Sequence, residues 1–149
     1  MPNTYTQLFT HIVFSTKERR KLLTPQIRAE LYPYMSGIAQ GKNFTIVSVN
    51  GIDDHVHAIL LLPTNISVSE AVQSIKGNSS KWINDKFFTH RIFSWQEGYG
   101  AFSVSSSQVE IVKHYIENQE EHHKNIDFKT EYRQLLEKHG ITFEEKYLF

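Results

Sequence analysis

Short apolar runs rich in β-branched and aromatic residues alternate along this chain with longer segments of helical periodicity. Such runs predict β-strands. They lie at about Thr6 to Ser15, Phe44 to Val49, His55 to Leu62, and within Phe93 to Val104, the last interrupted by Gly98 and Gly100. Turn residues 50–54 separate the second run from the third and predict an antiparallel hairpin.

The segments between these strands carry helix-start signals. Thr24-Pro25 provides an N-cap and a proline at the first helical position, and Gly41 is a plausible stop. Pro33 conflicts with this helix, because proline removes a helix hydrogen bond and should kink it. Capping-box patterns pair Ser67 with Glu70 and Ser107 with Glu110, although residues 77–80 weaken the middle of the earlier helix.

A last helix is predicted from about Phe128 to His139, with Gly140 as its cap. The order strand, helix, two strands, helix, strand, helix predicts an α+β protein with a ferredoxin-like antiparallel sheet and helices packed on it. A C-terminal helix is added to that core, after the helix that carries Tyr115. We expect residues 1–149 to form one domain.

Composition narrows the function classes. Lysine plus arginine and aspartate plus glutamate number 16 each, so the formal net charge is zero. General affinity for nucleic acid comes largely from positive charge, so any DNA contact must use a local patch. The chain has no cysteine, which excludes disulfides and thiolate metal sites. Met1 to Gln7 is polar and the apolar run Val56 to Leu62 is too short to cross a bilayer, so we expect a cytoplasmic protein.

The sequence His55-Val56-His57 is the first candidate for chemistry. Alternate residues of a strand point to the same face, so both imidazoles would lie side by side in an apolar strand. Their burial is unfavourable unless their nitrogens are satisfied, and a metal ion satisfies them. The competing interpretation is a pair of structural histidines. A histidine-triad nucleotide hydrolase is disfavoured, because the third alternate position is Ile59.

Tyr115 and Gln119 form the second candidate. They are four residues apart in a helical segment, so the phenol and the carboxamide are predicted to share one helix face. With His55 and His57 they could form a two-histidine, one-amide metal site beside a tyrosine. This set suits metal-assisted attack on a phosphodiester. Taken alone, Tyr115 fits a core or rim position, and Gln119 fits a solvated one.

Other polar residues near these candidates have simpler interpretations. His122 and His123 are expected to face solvent, with His122 kept as a reserve ligand. Asp53 and Asp54 serve the turn, and the alternative is a hydrogen bond from one of them to an imidazole.

Basic residues follow the first predicted strand and recur in the second predicted helix. They fit a solvated surface, or contacts to DNA phosphates if they lie near the histidines. The candidates for DNA contact are Lys17, Arg19, Arg20, Lys76 and Lys81.

These motifs together resemble one family, the HUH-type single-tyrosine transposases of IS200-like insertion sequences. HUH denotes histidine, hydrophobe, histidine, matched by residues 55–57. The resemblance spans nearly the whole chain, through the segments His11 to Lys17 with Arg19-Arg20, Gly51 to Leu62, Lys76 to Ser80, Trp95 to Gly100, and Val112 to Gln119. Asp53 replaces a proline often found before the histidines, a change that affects the turn.

The resemblance implies a specific reaction. Tyr115 would be the nucleophile, and His55, His57 and Gln119 would hold a divalent cation, Mg or Mn. The substrate would be single-stranded DNA with imperfect hairpins at the element ends, cleaved and rejoined through a 5′-phosphotyrosine. Family members are commonly homodimers, in which the tyrosine helix completes its own active site or its partner's.

Two other functions remain open from the residues. A domesticated hairpin-binding protein would keep the fold without mobilising DNA. A metal-dependent phosphoesterase would use water and form no covalent intermediate. The unperturbed tyrosine pKa of about 10 means that the phenol needs help to attack at neutral pH.

Overall fold

The computed structural model describes residues 3–148 and shows four strands and five α-helices in that range. Met1, Pro2 and Phe149, which the predicted domain includes, lie outside the described residues. The elements are β1 (Leu8–Ser15), α1 (Pro25–Gly41), β2 (Thr45–Gly51), β3 (His55–Leu62), α2 (Val68–Phe87), β4 (Gly100–Val104), α3 (Val109–Glu117), α4 (Gln119–His122) and α5 (Phe128–Lys138).

The four strands form one antiparallel sheet in the order β2-β3-β1-β4. With two helices crossing between the strands, this is the ferredoxin-like arrangement, and the predicted α+β fold class is confirmed. In the central pair, Ser15 lies opposite His55 and Val13 lies opposite His57. The register places the end of β1 directly beside the start of β3.

The two faces of the sheet have different partners. One face contributes Ile12, Phe14, Val56 and Leu60 to a large apolar core that includes residues of α1 and α2. The opposite face carries the alternate residues of β1 and β3, among them both histidines of β3. There a smaller cluster joins strands β1 and β4 to the C-terminal segment, through Val13, Phe102, Phe128, Tyr132, Leu136 and Leu148. The C-terminal helix therefore covers the histidine face.

The N-caps predicted from the sequence for the first two helices are found in the structure. The Thr24 hydroxyl accepts a hydrogen bond from the amide of Ile27 at 3.3 Å, and α1 runs through Pro33 as one element. Ser67 accepts from the amide of Glu70 at 3.1 Å, and α2 continues through residues 77–80. None of the helices within residues 3–148 is long and apolar enough to cross a membrane.

The strand predicted within Phe93–Val104 forms only from Gly100 onward. Residues before it are irregular, apart from an isolated bridge between Trp95 and Thr16. The hairpin is confirmed, and Gly51 is needed there, because a Cβ at this position would lie 2.0 Å from the carbonyl oxygen of His55.

The helix carrying Tyr115 differs from the prediction in two ways. Ser107 does not cap it: residues 106–108 form a 3-10 turn, and the Ser107 hydroxyl instead lies 3.2 Å from that of Ser105. The expected single helix through Tyr115 and Gln119 is also wrong, since α3 ends at Glu117 and Gln119 begins α4. The backbone N–H of Asn118 keeps its helical hydrogen bond to the carbonyl of His114 at 3.2 Å, and the Asn118 side chain donates to the same carbonyl at 3.0 Å.

The last helix agrees with its prediction to within one residue. Asp127 caps α5 by accepting from the amide of Thr130 at 2.9 Å. The helix ends at Lys138, and Gly140 has a φ of +66°, the left-handed conformation expected of a C-terminal glycine cap.

Candidate active site

His55 and His57 lie next to each other on the covered face of β3, and both side chains are fully buried. Their Nε2 atoms approach the same atom, Oε1 of Glu131, at 3.3 Å for His55 and 2.9 Å for His57. The side-by-side arrangement follows from strand alternation. What the strand pattern does not reveal is the carboxylate between the rings.

Glu131 is the residue around which the site is built, and sequence reasoning missed it. Its Oε1 also lies 3.1 Å from Nε2 of His123, so three imidazoles face one oxygen. Its Oε2 accepts hydrogen bonds from the phenol of Tyr115 and from Nε2 of Gln119, the latter at 3.3 Å. One signal could have revealed it: Glu131 lies beside Tyr132 on the apolar stripe of α5, where a charged residue is unexpected unless it has partners.

Gln119 is fully buried and reaches His55 from α4. Its Oε1 lies 3.0 Å from His55 Nε2. The break between α3 and α4 thus does not separate Gln119 from Tyr115, and both side chains meet Glu131. The structure brings together Tyr115, His55, His57 and Gln119, the four residues singled out from the sequence, within one chain.

The other nitrogen of His55 is held by a neighbouring carboxylate. Nδ1 lies 2.8 Å from Oδ1 of Asp54, which is the hydrogen bond considered as an alternative for the turn aspartates. Burial acts to lower the pKa of His55, but hydrogen bonds to Asp54 and Glu131 outweigh it and raise the pKa to about 9.

His57 has a different environment, because its Nδ1 lies 2.9 Å from Nε2 of His11 on β1. Burial lowers the pKa of His57 to about 4, against the opposing influence of Glu131. Burial, followed by the charge of His57, lowers the pKa of His11 to about 3. Both rings are therefore neutral near pH 7, and neutral imidazole is the form that binds metal ions. His11 lay within a resembling segment but was not identified as a site residue.

His123 does not face solvent as expected: its side chain is 3% exposed and joins the cluster. His122 is only partly buried, and its Nε2 lies 3.3 Å from Oε2 of Glu131. Of this pair, His123 is therefore the more deeply buried, and the reserve candidate His122 lies nearer the surface. The ligand atoms of His55, His57, His123 and Glu131 all lie within 4.8 Å of one another, a grouping that could hold a metal ion.

The hydrogen bonds of the ring nitrogens of His123 and His55 also favour a metal ion at this position. Nδ1 of His123 lies 2.7 Å from the carbonyl oxygen of Ile126, which can only accept, so Nδ1 carries the hydrogen. A neutral His123 then directs the Nε2 lone pair at a carboxylate oxygen. A neutral His55 would be in the same position. Its Nδ1 hydrogen would be donated to Asp54, and its Nε2 lone pair would face oxygen atoms. Converging lone pairs require positive charge, supplied either by protons or by a cation.

Tyr115 lies at the edge of this cluster. Its ring centroid is 5.7 Å from that of His57, with the rings perpendicular. Burial and then the negative charge of Glu131 raise the pKa of the Tyr115 phenol above its ordinary value. The phenol is therefore protonated in this arrangement and needs nearby positive charge to become a nucleophile.

A cleft of about 640 Å³ opens beside the phenol. Its walls come mainly from β4, α3 and α5, with His122 of α4, and they include Tyr115 and Glu131. The cleft gives an extended ligand a route to the tyrosine from the surface.

The basic residues proposed for DNA contact lie in two places. Lys17, Arg19 and Arg20 follow β1, whose end is tied to the histidine strand by a 2.8 Å hydrogen bond from the amide of Thr16 to the carbonyl of Asp54. On α2, the side chain of Lys76 hydrogen-bonds to backbone carbonyls of the chain itself.

Lys76 donates to the carbonyls of Gln96 at 2.6 Å and Gly98 at 2.9 Å, and burial lowers its pKa. Lys81 is exposed and pairs with Asp85 at 3.6 Å. Lys76 thus anchors the irregular segment before β4, whereas Lys81 is open to solvent.

Known proteins resemble this chain in sequence and in fold. A family of transposases described as IS200-like matches residues 4–119. The transposase for insertion sequence element IS200 of Salmonella typhimurium is 30% identical over 116 residues, covering 72% of this chain and 76% of that protein. The ISDra2 transposase TnpA of Deinococcus radiodurans is 22% identical over 120 residues, covering 76% and 84%. The chain belongs to the IS200-like transposase family.

Two solved structures share the fold. A protein from Deinococcus radiodurans R1 described as a transposase superposes with a TM-score of 0.65 at 23% identity, covering 80% of this chain and 95% of its own. A REP-associated tyrosine transposase bound to a REP hairpin gives 0.62 at 17% identity, covering 83% and 73%.

Proposed function

We propose that this transposase cleaves and rejoins single-stranded DNA at hairpin-bearing element ends, with Tyr115 as the nucleophile. The observation that carries the proposal is the convergence of Tyr115, His55, His57 and Gln119 on one buried carboxylate in a member of the IS200-like family. A water-dependent phosphoesterase would have no use for a tyrosine hydrogen-bonded to the carboxylate that the histidines face.

His55, His57 and Gln119 are the residues we propose to hold a divalent cation, Mg or Mn. Such an ion, when bound, would offset charge on the scissile phosphate and favour in-line displacement. Asp54 orients His55 through Nδ1, and His11 does so for His57, which leaves the Nε2 atoms directed into the site.

In the reaction, the phenolic oxygen of Tyr115 forms a bond to phosphorus while the bond from phosphorus to the 3′ oxygen breaks. The products are a 5′-phosphotyrosine and a free 3′-hydroxyl. Attack of a 3′-hydroxyl on the phosphotyrosine reverses the step and joins strands. The energy of the phosphodiester is kept in the covalent bond, so no nucleotide cofactor is consumed.

The proposed substrate is supported by the relatives. The solved REP-associated transposase is bound to a hairpin, and the Salmonella relative serves an insertion sequence. The residues that we propose to contact DNA phosphates are Lys17, Arg19, Arg20 and Lys81. Lys76 is proposed to contribute indirectly, by holding the segment before β4 in place. The single domain, the homodimer and the cytoplasmic location stay predictions.

Incubation with hairpin-containing single-stranded DNA and Mn²⁺ tests the nucleophile. Wild-type protein is expected to form an adduct that survives denaturing electrophoresis, and Tyr115→Phe is expected to form none while still binding the DNA. Tyr147→Phe is the matched control, because Tyr147 is 74% exposed, and it should form the adduct normally. An adduct that persists in Tyr115→Phe would falsify the assignment.

A further inference from the structure

We propose that Glu131 and His123, from the C-terminal segment, are ligands of the same metal ion as His55 and His57. This inference deepens the proposed function, since it concerns the cation of that site. The family match ends at residue 119, so both proposed ligands lie in a part of the chain that the match does not cover.

The geometry of Glu131 is the first argument. Its Oε1 lies 2.9 Å from His57 Nε2, 3.1 Å from His123 Nε2 and 3.3 Å from His55 Nε2. Glu131 is only 1% exposed, and the side chains of His55 and His123 are 0% and 3% exposed. A carboxylate is rarely buried to this degree unless it is paired or coordinates a metal.

The second argument is how the imidazoles are anchored. Nδ1 of His123 is held by the Ile126 carbonyl at 2.7 Å, and Nδ1 of His55 is held by Asp54 at 2.8 Å. Metal-binding histidines characteristically donate their second ring N–H to a carbonyl or a carboxylate, which fixes the tautomer and aims the other nitrogen at the ion. His123 therefore has the same anchoring as His55, a residue proposed as a ligand on independent grounds.

The third argument is distance. The four ligand atoms lie within 4.8 Å of one another. Metal–nitrogen bonds of about 2.1 Å allow two donors on one ion to be at most about 4.2 Å apart, so small side-chain rotations close the site. Together with the Gln119 carboxamide, a set with three imidazoles and a carboxylate suits transition metals better than Mg²⁺, which prefers oxygen ligands and bound water.

Glu131 also joins the ion to the nucleophile. While Oε1 faces the imidazoles, Oε2 accepts the hydrogen bond from the Tyr115 phenol. Coordination through Oε1 would hold the phenol at a fixed position relative to the ion. The C-terminal helix α5 would thereby assemble the site, bringing one ligand and positioning the tyrosine.

Mn²⁺ titration of the full chain, without DNA, tests the ligands. The electron paramagnetic resonance signal of free Mn²⁺ reports binding directly and does not depend on activity. We expect one Mn²⁺ per wild-type chain. Losing a residue that only hydrogen-bonds to a ligand typically weakens metal affinity by about 10- to 100-fold, and losing a ligand should weaken it more. Glu131→Gln is therefore expected to weaken Mn²⁺ binding by about 100-fold or more. His123→Gln, which removes the other proposed ligand, should likewise weaken binding by about 100-fold or more.

Matched controls are available among exposed residues away from the cluster. Glu137 is exposed on α5, and His90 is exposed after α2, so Glu137→Gln and His90→Gln should bind Mn²⁺ as the wild type does. Circular dichroism checks folding. If Glu131→Gln fails to fold, Mn²⁺ binding by Glu131→Asp and His123→Gln decides the question. Wild-type Mn²⁺ affinity in His123→Gln overturns the proposal. Weakened Mn²⁺ affinity in both variants supports it.

Wild-type Mn²⁺ affinity in a folded Glu131→Gln protein would overturn the proposal, as would absence of Mn²⁺ binding by the wild type. Failure of the proposed function gives a different result. Tyr115→Phe keeps every ligand and should still bind Mn²⁺. If no adduct forms in the wild type while binding still depends on Glu131, the nucleophile is wrong and the ligand assignment stands.

Discussion

Oδ1 of Asp54 lies 2.8 Å from Nδ1 of His55, the residue that follows it in the chain and begins β3. The turn before the strand therefore has two functions. It completes the β2–β3 hairpin, and it places a carboxylate behind the imidazole that faces the site. A histidine held in this way keeps Nε2 directed toward the cluster and is a stronger metal ligand.

Replacing that carboxylate should weaken metal binding without removing a ligand. We expect Asp54→Ala to reduce Mn²⁺ affinity by about 10- to 100-fold, as is typical when the hydrogen-bond partner of a metal-binding histidine is lost. Titration with Mn²⁺ measures the effect. Asp53→Ala is the control and should bind normally. Equal affinities in the two variants would show that Asp54 does not support the ion.

Metal removal should lower stability, because an ion that binds only the folded chain stabilises it by mass action. At Mn²⁺ concentrations of 100 times Kd, the free energy of unfolding should rise by about 2.7 kcal/mol over the value in chelator. Urea denaturation with and without Mn²⁺ measures this difference. In His57→Ala the difference should disappear, whatever the variant's own stability. A full difference in His57→Ala would exclude His57 as a ligand.

Packing of α5 against the sheet should be sensitive to a single methyl group. A Cβ at Gly100 would lie 2.7 Å from Cε1 of Tyr132 and 3.0 Å from Cγ1 of Val13. Gly100→Ala should therefore push α5 away from β4 and destabilise the fold by about 1–3 kcal/mol. Chemical denaturation measures this change.

A glycine with open space around it provides the control for Gly100. Gly37 lies in the interior of α1, and a Cβ there has nothing within 4 Å. Gly37→Ala should stabilise the chain by about 0.5–1 kcal/mol, because alanine loses less conformational entropy in a helix. Destabilisation of similar size in both variants would argue against the contact with Tyr132.

A buried hydrogen bond links α2 to the irregular segment before β4. Nε1 of Trp95 donates to the hydroxyl of Ser79 at 3.0 Å, and both residues are buried. Ser79→Ala leaves the indole N–H unpaired and should cost about 1–3 kcal/mol of stability. Tryptophan fluorescence during denaturation follows the loss. Ser80→Ala removes a hydroxyl that bonds only within α2 and should change stability by less than about 0.5 kcal/mol.

Local sequence features predicted much of the fold correctly. The limits of β3, the caps of α1 and α2 and the glycine that ends α5 all depend on neighbouring residues. The errors occurred where a local pattern had a stronger competitor. Ser107 bonds to Ser105 instead of capping α3, and α3 ends at Glu117, before Gln119 begins α4.

The candidate site divides in the same way. Strand alternation alone puts His55 and His57 on one face, and the motif with Tyr115 and Gln119 identified the family to which the chain belongs. Glu131 reaches His57 across 74 residues, and His11 reaches it across 46. The positions of Glu131 and His11 in the sequence do not predict either contact with His57.

The sequence by itself determined where the chain forms strands and helices and which residues share a face, because backbone geometry repeats over a few residues. The tertiary structure alone decided that α5 covers the histidine face and places Glu131 between the strand and the tyrosine, with His123 beside it. Such contacts depend on how apolar surfaces far apart in the chain pack together, through Phe128, Tyr132 and Leu136 against Val13 and Phe102. That packing places the buried carboxylate of Glu131. Its partners His55, His57 and Tyr115 lie too far from it in the chain for local periodicity to bring them together.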